Sequence, residues 1–318
     1  MGSIDLGLQH INQGHRVEGK IREVESEKRF FRPPIQKRSL FITVSVSLLS
    51  QSDNFLSASS RFIAIGFGAS SVIGYFIELL KFEGIEERLR FEWMEECLLR
   101  TSSDNWCIIN DGTDKPNIVM GISGKPSELV EITPVLQDNI PVIRRFTGGG
   151  TVIVDDGTIF VSFICNKDDV PHVQPYPRPI MSWSSLLYSK VFHGIADFKL
   201  RENDYVFGVR KFGGNAQSIT KNRWIHHTSF LWDYKTHNMS YLKLPKQAPE
   251  YRLARDHLDF ICPIKDYLSR SDFISKTIDA AATHFSLTST QPPLNFEFNP
   301  TSKLLTRLEL EAAAIKSS

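Results

Sequence analysis

From Ile85 onward the hydrophobic positions of this chain keep two rhythms. In "IEERLRFEWMEECLLR" the apolar side chains Ile85, Leu89, Trp93, Met94, Cys97 and Leu98 recur three or four apart, which predicts one buried face of an amphipathic helix. Short β-branched and aromatic runs follow. "WCIIN", "NIVMGIS", "IPVIRRF", "TVIVDD" and "TIFVSFICN" read as strands, split by Asp-Gly and Pro turns. A second helical spacing joins Trp183, Leu187, Val191 and Ile195, and further strands lie in "DYVFGVRKFGG" and "RWIHHTSFLWDY". A last helix is predicted in "DFISKTIDAAATHF", with Ile274, Ile278, Ala281 and Phe285 together. Runs of strands with helices between them, rather than strict alternation, predict an α+β domain: a mixed β-sheet flanked by helices.

The two ends read differently. Residues 1–80 form an N-terminal extension of poorly defined structure, 81–286 the main folded domain, and 287–318 a C-terminal tail. Charge-rich "EGKIREVESEKRFFRPPIQKR" with its Pro-Pro break suits an arm rather than a packed element. From Phe62 to Leu80 the only charge is Glu78, a length approaching that of a membrane-spanning helix. Its Gly and Ser content and its place inside the chain favour a packed segment instead. The first fifteen residues lack the apolar core of a secretory signal. Basic, Ser-containing "KRFFRPPIQKRSLFITVSVSLLSQS" resembles an organelle-import segment, although acidic residues precede it. "TQPPLNFEFNPTSK" predicts an irregular tail until a short helix near its end.

Composition narrows the possibilities. With 318 residues, 41% hydrophobic and 23% charged, the chain excludes global disorder. A formal net charge of +1 supplies no overall field toward nucleic acid or an anionic membrane, so any anion site must be local. Four scattered cysteines, Cys97, Cys107, Cys165 and Cys262, without a CxxC pair, fit reduced thiols in an intracellular setting.

Candidate chemistry gathers in three stretches. In "IRRFTGGGTVIVDDG", Gly148, Gly149 and Gly150 can bare several N–H donors to one anion, beside the fixed charges of Arg144 and Arg145. Alone, the triplet is equally a hairpin turn. It is neither a GxxxxGK[ST] phosphate loop nor GxGxxG. In "RENDYVFGVRKFGGNAQSITKNRW", Asn203 and Asp204 precede a strand, and Lys211 stands just before Gly213, Gly214, Asn215 and Ala216. An ammonium beside bared backbone is placed to neutralise a phosphate or carboxylate, whereas a lone lysine on a turn is ordinarily a solvated one. In "WIHHTSFLW", alternation sends His226 and His227 to opposite faces, so they are not a metal pair. No HExxH or His/carboxylate spacing is present, and no dedicated metal site is expected.

"RRFTGGGTVIVDDGTIFVSF", "RENDYVFG" and "RKFGGNAQSITKNRWIHHTSFLW", in this order, resemble the lipoate–protein ligase family of the biotin/lipoate protein ligase superfamily, in wording closest to plant members. The resemblance spans about residues 85–285. It implies a biotin/lipoate protein ligase-like catalytic domain with an apolar acyl tunnel. Lys211 would be the catalytic cation at the acyl carbonyl and adenylate phosphate. Arg144, Arg145, Gly148, Gly149, Gly150, Gly214, Asn215, Ala216 and His227 would bind the substrate, and Asn203 and Asp204 would face the nucleotide and its metal-bound phosphate. It further implies ATP and Mg²⁺ as co-substrate and metal, lipoate or octanoate as substrate, and no tightly bound cofactor. Implied partners are apo lipoyl-domain proteins, namely 2-oxoacid dehydrogenase E2 subunits and the glycine-cleavage H-protein. Nucleic acid and membrane are not expected. Mitochondria are the expected location, with plastid and cytoplasm as alternatives.

Three departures qualify the resemblance. Many members carry His where Val154 stands here, and Ser where Gly213 stands. The roughly thirty residues after Phe285 are too few for the C-terminal accessory domain of long bacterial ligases. The alternatives are therefore an octanoyl or lipoyl transferase using a carrier-bound acyl group and a Cys262 thioester, or a non-catalytic relative that binds acyl groups or acceptor proteins. "ICP" around Cys262 does not match a transferase signature, and the GRGRxGR-like segment of biotin ligases is missing.

Overall fold

The structure, a computed structural model, describes residues 62–68, 72–78, 86–170, 172–289 and 297–315. In chain order, strands β1 (Phe62–Gly68) and β2 (Val72–Glu78) precede helix α1 (Glu86–Thr101), β3 (Asn105–Asn110) and β4 (Asn117–Met120). Short helices α2 (Pro126–Leu129) and α3 (Ile132–Gln137) lead to β5 (Val142–Arg144), β6 (Thr151–Val154) and β7 (Thr158–Asn166). Helix α4 (Pro177–Val191) is followed by a four-strand run: β8 (Phe198–Arg201), β9 (Asp204–Phe207), β10 (Arg210–Ile219) and β11 (Arg223–Leu231). Last come α5 (His257–Phe260), α6 (Arg270–Ala282), β12 (Ser286–Ser289), β13 (Lys303–Leu304) and α7 (Arg307–Ile315).

Nine strands make the large sheet, in the order β12-β2-β1-β3-β7-β11-β10-β9-β8. Its pairings are antiparallel except β12 with β2, so the sheet is mixed as expected. A smaller sheet, β13-β5-β4-β6, pairs β4 parallel with β5 and antiparallel with β6. Alternation along β7 and β11 sorts their side chains onto two cores. Ile159, Val161, Phe163, Trp224 and Phe230 pack on one face with α4 and α6 residues such as Trp183, Leu187 and Phe273. Phe160, Ile164 and Ile225 pack on the other with Phe91, Met94 and Leu98 of α1 and Val154 of β6. The small sheet thus covers the α1 side of the large one.

The helices form where spacing predicted them, with local differences. Helix α4 ends at Val191, and Ile195 lies beyond it, past Gly194 at φ +72°. Ser269 caps α6, its hydroxyl accepting from Asp272 N–H at 3.2 Å. Trp93, counted on the buried face of α1, is 37% exposed and donates its indole N–H to Ser302 O at 2.8 Å. Buried in its place are Arg88, Glu92, Glu95 and Glu96. A helix covered on both sides has no polar face to spare. Glu96 is satisfied by Thr301, accepting from its N–H at 2.8 Å and its hydroxyl at 2.6 Å.

The large sheet also reaches beyond the expected limits of the main domain. β1 pairs antiparallel with β3, from Phe62 opposite Asn110 to Phe67 opposite Asn105. The apolar stretch within 62–80 is a hairpin rather than one long helix: two seven-residue strands separated by Ala69, Ser70 and Ser71. The tail contributes β12 beside β2, and its predicted short final helix is α7. No helix among the described residues is long and apolar enough to cross a membrane. The residues before 62, with the arm and the import-like segment, lie outside the described residues.

Candidate active site

A cavity of about 540 Å³ opens between the two sheets. Residues 150–154 of the glycine-rich segment and β6 line one wall, and Thr158, Gly214, Ser229 and Leu231 of the large sheet another. Residues from the connection after β11, including Met239, Leu242 and Pro249, line a third. The walls are largely apolar, and a few polar groups converge at one place.

Two strands bring that group together. A two-residue turn, Glu202–Asn203, joins β8 to β9, with Glu202 in the left-handed region at φ +52°. Asn203 and Asp204 therefore sit at the hairpin tip, facing the cavity. On β10 the register with β9 shifts between Lys211 and Gly213, a bulge of the kind that re-aims a side chain. Lys211 Nζ lies 2.8 Å from Asp204 Oδ1. A Cβ on Gly214 would stand 3.2 Å from that Nζ, so the glycine leaves the ammonium its space. Tyr251 donates its hydroxyl to Asp204 Oδ2 at 2.8 Å. Burial and the Asp204 charge hold this phenol well above its ordinary range, so it stays a donor.

Lys211, Asn203, Asp204, Gly150 and Gly214, all singled out in the sequence, thus line one cavity. Other candidates serve at one remove. Arg145 is buried and clamps the glycine segment, donating Nη2 to Gly148 O at 2.8 Å and Gly150 O at 2.9 Å, and Nε to the Thr147 hydroxyl at 2.8 Å. Arg144 donates Nη1 to Ile122 O at 2.9 Å and Gly124 O at 2.7 Å. Both guanidiniums hold backbone carbonyls. Gly149, at φ +102°, needs the conformational freedom of glycine, and a Cβ there would meet Arg145 Nη2 at 2.9 Å. Asn215 orients the hairpin, donating Nδ2 to Asn203 O at 2.9 Å and accepting from the Thr228 hydroxyl at 2.6 Å.

Ala216 and His227 are register partners on the cavity side of the large sheet, one side-chain row beyond Gly214 and Ser229. His227 Nδ1 lies 2.9 Å from both Ser162 Oγ and Glu95 Oε1, and Ser162 donates to the same Glu95 oxygen. Arg88 pairs with Glu92 beside them, its guanidinium 3.8 Å from the centroid of the Phe160 ring. Burial pushes Glu95 up to about 7 and Glu92 up as well, while burial and the Arg88 charge push His227 down to about 3. Neutral imidazole and partly protonated carboxyl are the forms this pocket favours. His226, on the other face, is likewise buried and pushed down to about 3. The expected split of the two histidines across the sheet is what the strand shows.

Cys262 is buried, its N–H bonded to Lys211 O at 2.9 Å and its thiol directed at Arg210 O at 3.5 Å. Burial pushes the thiol up to about 11, which opposes thiolate formation. It braces the backbone of Lys211. Among the described residues, no group of three or more His, Cys, Asp or Glu side chains is arranged to hold a metal ion.

Lys243, Arg252 and His257 also border the cavity and Tyr251 bonds Asp204 at its wall; none of the four was singled out in the sequence. "KLPKQAPEYRLARDHLDF" carries no spacing that marks them, and only the fold of that connection brings them to Asp204 and Lys211. Arg252 donates Nε to Arg255 O at 2.9 Å, and its guanidinium lies 4.6 Å from the Phe260 ring centroid.

Fold and cavity together define an α+β domain with a mixed sheet and a largely apolar pocket lined by a lysine–aspartate pair. Residues 89–286 match the lipoyl protein ligase A/B catalytic domain, and the chain belongs to that family. It is 29% identical, across 64% of its own length and 68% of the relative's, to a Plasmodium falciparum protein named inactive lipoate–protein ligase 2. It is also 29% identical, across 49% of its own length and 46% of the relative's, to lipoate–protein ligase LplJ of Bacillus subtilis. The chain thus spans from under half to about two thirds of these relatives. In fold it is similar to an archaeal bi-partite lipoate protein ligase from Thermoplasma acidophilum, at a TM-score of 0.50 and 16% identity, covering 73% of this chain and 87% of that one. That likeness is of a mixed-sheet biotin/lipoate protein ligase-like catalytic fold.

Proposed function

We propose that this chain is an ATP-dependent lipoate–protein ligase. In the first step a lipoate or octanoate carboxylate oxygen attacks the α-phosphorus of ATP, and pyrophosphate leaves. In the second, the ε-amine of a lysine on an apo lipoyl domain attacks the acyl-adenylate carbonyl, an amide forms and AMP leaves. The observation that carries this reading is the Lys211–Asp204 pair at 2.8 Å, set beside Gly214 in the lining of a largely apolar cavity.

Two anions must meet in the first step, so fixed cations are required. Lys211 supplies one at the carboxyl and α-phosphate, and Lys243 and Arg252 border the same cavity. Mg²⁺ arriving with the nucleotide fits one carboxylate plus phosphate oxygens, the donor set magnesium commonly accepts. Asp204 would be that carboxylate, with Asn203 beside it at the tip of the hairpin. Lys211 is an electrostatic stabiliser and never the acyl acceptor.

Support for the ligase over a thioester transferase comes from Cys262, whose buried thiol is pushed up to about 11 by burial. Val154, buried in the α1-side core, favours a second reading in which the chain binds acyl groups without activating them. Lipoate-dependent exchange of pyrophosphate into ATP separates the two. Exchange that disappears in Lys211→Ala supports the ligase. Acyl binding without exchange selects the second reading, and carrier-dependent transfer lost in Cys262→Ser selects the transferase.

A further inference from the structure

The C-terminal tail returns to the glycine-rich segment. Strand β13 pairs antiparallel with β5, Lys303 opposite Arg144 and Leu304 opposite Ile143, and Leu305 donates its N–H to Val142 O at 2.8 Å. β5 is the strand that delivers the glycines. Beyond the last of these pairs the tail changes from backbone to side chain: the Ser302 hydroxyl accepts from the Phe146 N–H at 2.9 Å. Phe146 opens the stretch that carries Gly148, Gly149 and Gly150, and residues 150–154 line the cavity.

Ser302 is itself held firmly. It is 2% exposed, its carbonyl accepts from the Trp93 indole N–H at 2.8 Å, and its N–H donates to Glu96 Oε2 at 3.3 Å. Thr301 bonds the same carboxylate through its N–H and its hydroxyl. Glu96 is buried, and a buried carboxylate is sustained only where it is paired and hydrogen-bonded. Arg100 supplies the charge at 3.0 Å, and Thr301 and Ser302 supply the hydrogen bonds. Helix α1 thus fastens the tail, and the tail fastens Phe146.

Such a brace matters because of what it holds. Glycine loses more conformational freedom on ordering than any other residue, so a fixed wall built on a glycine triplet needs bonds from outside it. Arg145 holds the carbonyls of Gly148 and Gly150, and Ser302 holds the entry to the triplet. Resting on the ligase reading above, we propose that Ser302, anchored by Trp93 and Glu96, is a positioning residue for the acyl substrate. Through it the tail keeps the glycine-rich wall of the cavity in its binding form. It acts on the acid, and not on Lys211 and Asp204, which the large sheet holds.

Pyrophosphate–ATP exchange by the full chain, with lipoate and ATP varied separately, tests this. Ser302→Ala leaves the Phe146 N–H without its acceptor. The wall is then ordered in only part of the population, and apparent affinity falls by that fraction. One lost hydrogen bond predicts a rise in the lipoate KM of roughly fivefold. The maximal rate and the ATP KM should stay within about twofold of wild type. A merely structural loss would lower the maximal rate through fewer folded molecules and leave both KM values unchanged. Trp93→Phe, at a partly exposed position, removes the indole bond to Ser302 and should raise the lipoate KM by a smaller factor; it decides the matter if Ser302→Ala does not fold. An unchanged lipoate KM, an equal rise in both KM values, or a loss confined to the maximal rate overturns the inference and leaves the ligase reading standing. Absence of lipoate-dependent exchange in the wild-type chain removes that reading, and the inference with it.

Discussion

Lys211 and Asp204 lie on adjacent strands and meet at 2.8 Å, with Lys211 on one side of a β-bulge and Gly214 leaving room for the ammonium. The pair is only partly shielded from solvent, with side-chain exposures of 25% and 11%. An ion pair so placed adds little to stability. Its value is to hold a cation and a carboxylate at a fixed place beside the acyl cavity.

Removing the cation should therefore cost activity and spare the fold. Lys211→Ala is expected to lower lipoate-dependent pyrophosphate–ATP exchange by roughly 10²–10³-fold, the size of one lost electrostatic stabiliser. Asp204→Asn keeps an acceptor for Tyr251 and removes the charge, so it should fail in exchange while melting near the wild-type temperature. Undiminished exchange in either variant would show that the pair is not part of the chemistry.

Gly214→Ala tests the space rather than the charge. Its Cβ would meet Lys211 Nζ at 3.2 Å and Cε at 3.3 Å, both at the end of a flexible side chain. The lysine can move aside, so stability should change by less than about 1 kcal/mol. Exchange should fall because the ammonium no longer reaches its position, and addition of a longer-range cation elsewhere would not restore it. A normal rate at normal stability counts against the geometry proposed for Lys211.

Cys262→Ser keeps a donor for the Arg210 carbonyl and removes the thiol. Full ATP-dependent lipoylation of an apo lipoyl domain is expected, measured as acceptor mass gain. A dead variant with a normal melting curve would return the transferase reading.

The buried cluster predicts an unusual dependence on pH. His226 and His227, pushed down to about 3, stay neutral in the folded chain and take protons on unfolding, so each withdraws stability as pH falls below about 6.5. Glu95, pushed up to about 7 from 4.5, acts oppositely: the folded state holds its proton where the unfolded state has lost it, so its term favours the fold as pH falls from about 7 toward 4.5. A shift of that size corresponds to roughly 3 kcal/mol. Glu95→Gln removes the opposing term, so its melting temperature should drop more steeply than the wild type's between pH 7 and pH 5. Parallel thermal-melt profiles would mean that Glu95 does not carry the proton.

Deletions should distinguish the two parts of the N-terminal segment. Removing residues 1–54 takes away none of the described strands. Removing residues 1–84 takes β1 and β2 with it and leaves the β1-facing edge of β3 open. The longer deletion is expected to melt lower and to aggregate, as an exposed strand edge does. Equal stability of the two would show that the hairpin is dispensable.

Much of this was legible from spacing alone. The α1, α4 and α6 helices announce themselves by apolar residues three and four apart, and β7 and β11 by stretches rich in β-branched and aromatic residues. Asn203, Asp204, Lys211 and Gly214 are close in sequence because one hairpin and its neighbour carry them, so local order was enough to group them. The hairpin at 62–78 was harder to read, since a short apolar run does not itself distinguish strand from helix; pairing with β3 decides it.

The chain's sequence by itself determined its family, its α+β class and the lysine at the heart of the proposed chemistry, because these rest on local periodicity and short motifs. Tertiary structure alone decided what the arginines do. Arg144 and Arg145 bind carbonyls 20 to 26 positions upstream as well as nearby ones, and only the close approach of β4 and β5 supplies those acceptors. It likewise decided that Tyr251 meets Asp204 from 47 positions away, and that Arg88, Glu92, Glu95 and Glu96 of one helix turn inward. A charge pattern on a helix looks the same whether water or protein lies against it. What covers each face is settled by packing, and the burial cost of those charges follows from that cover.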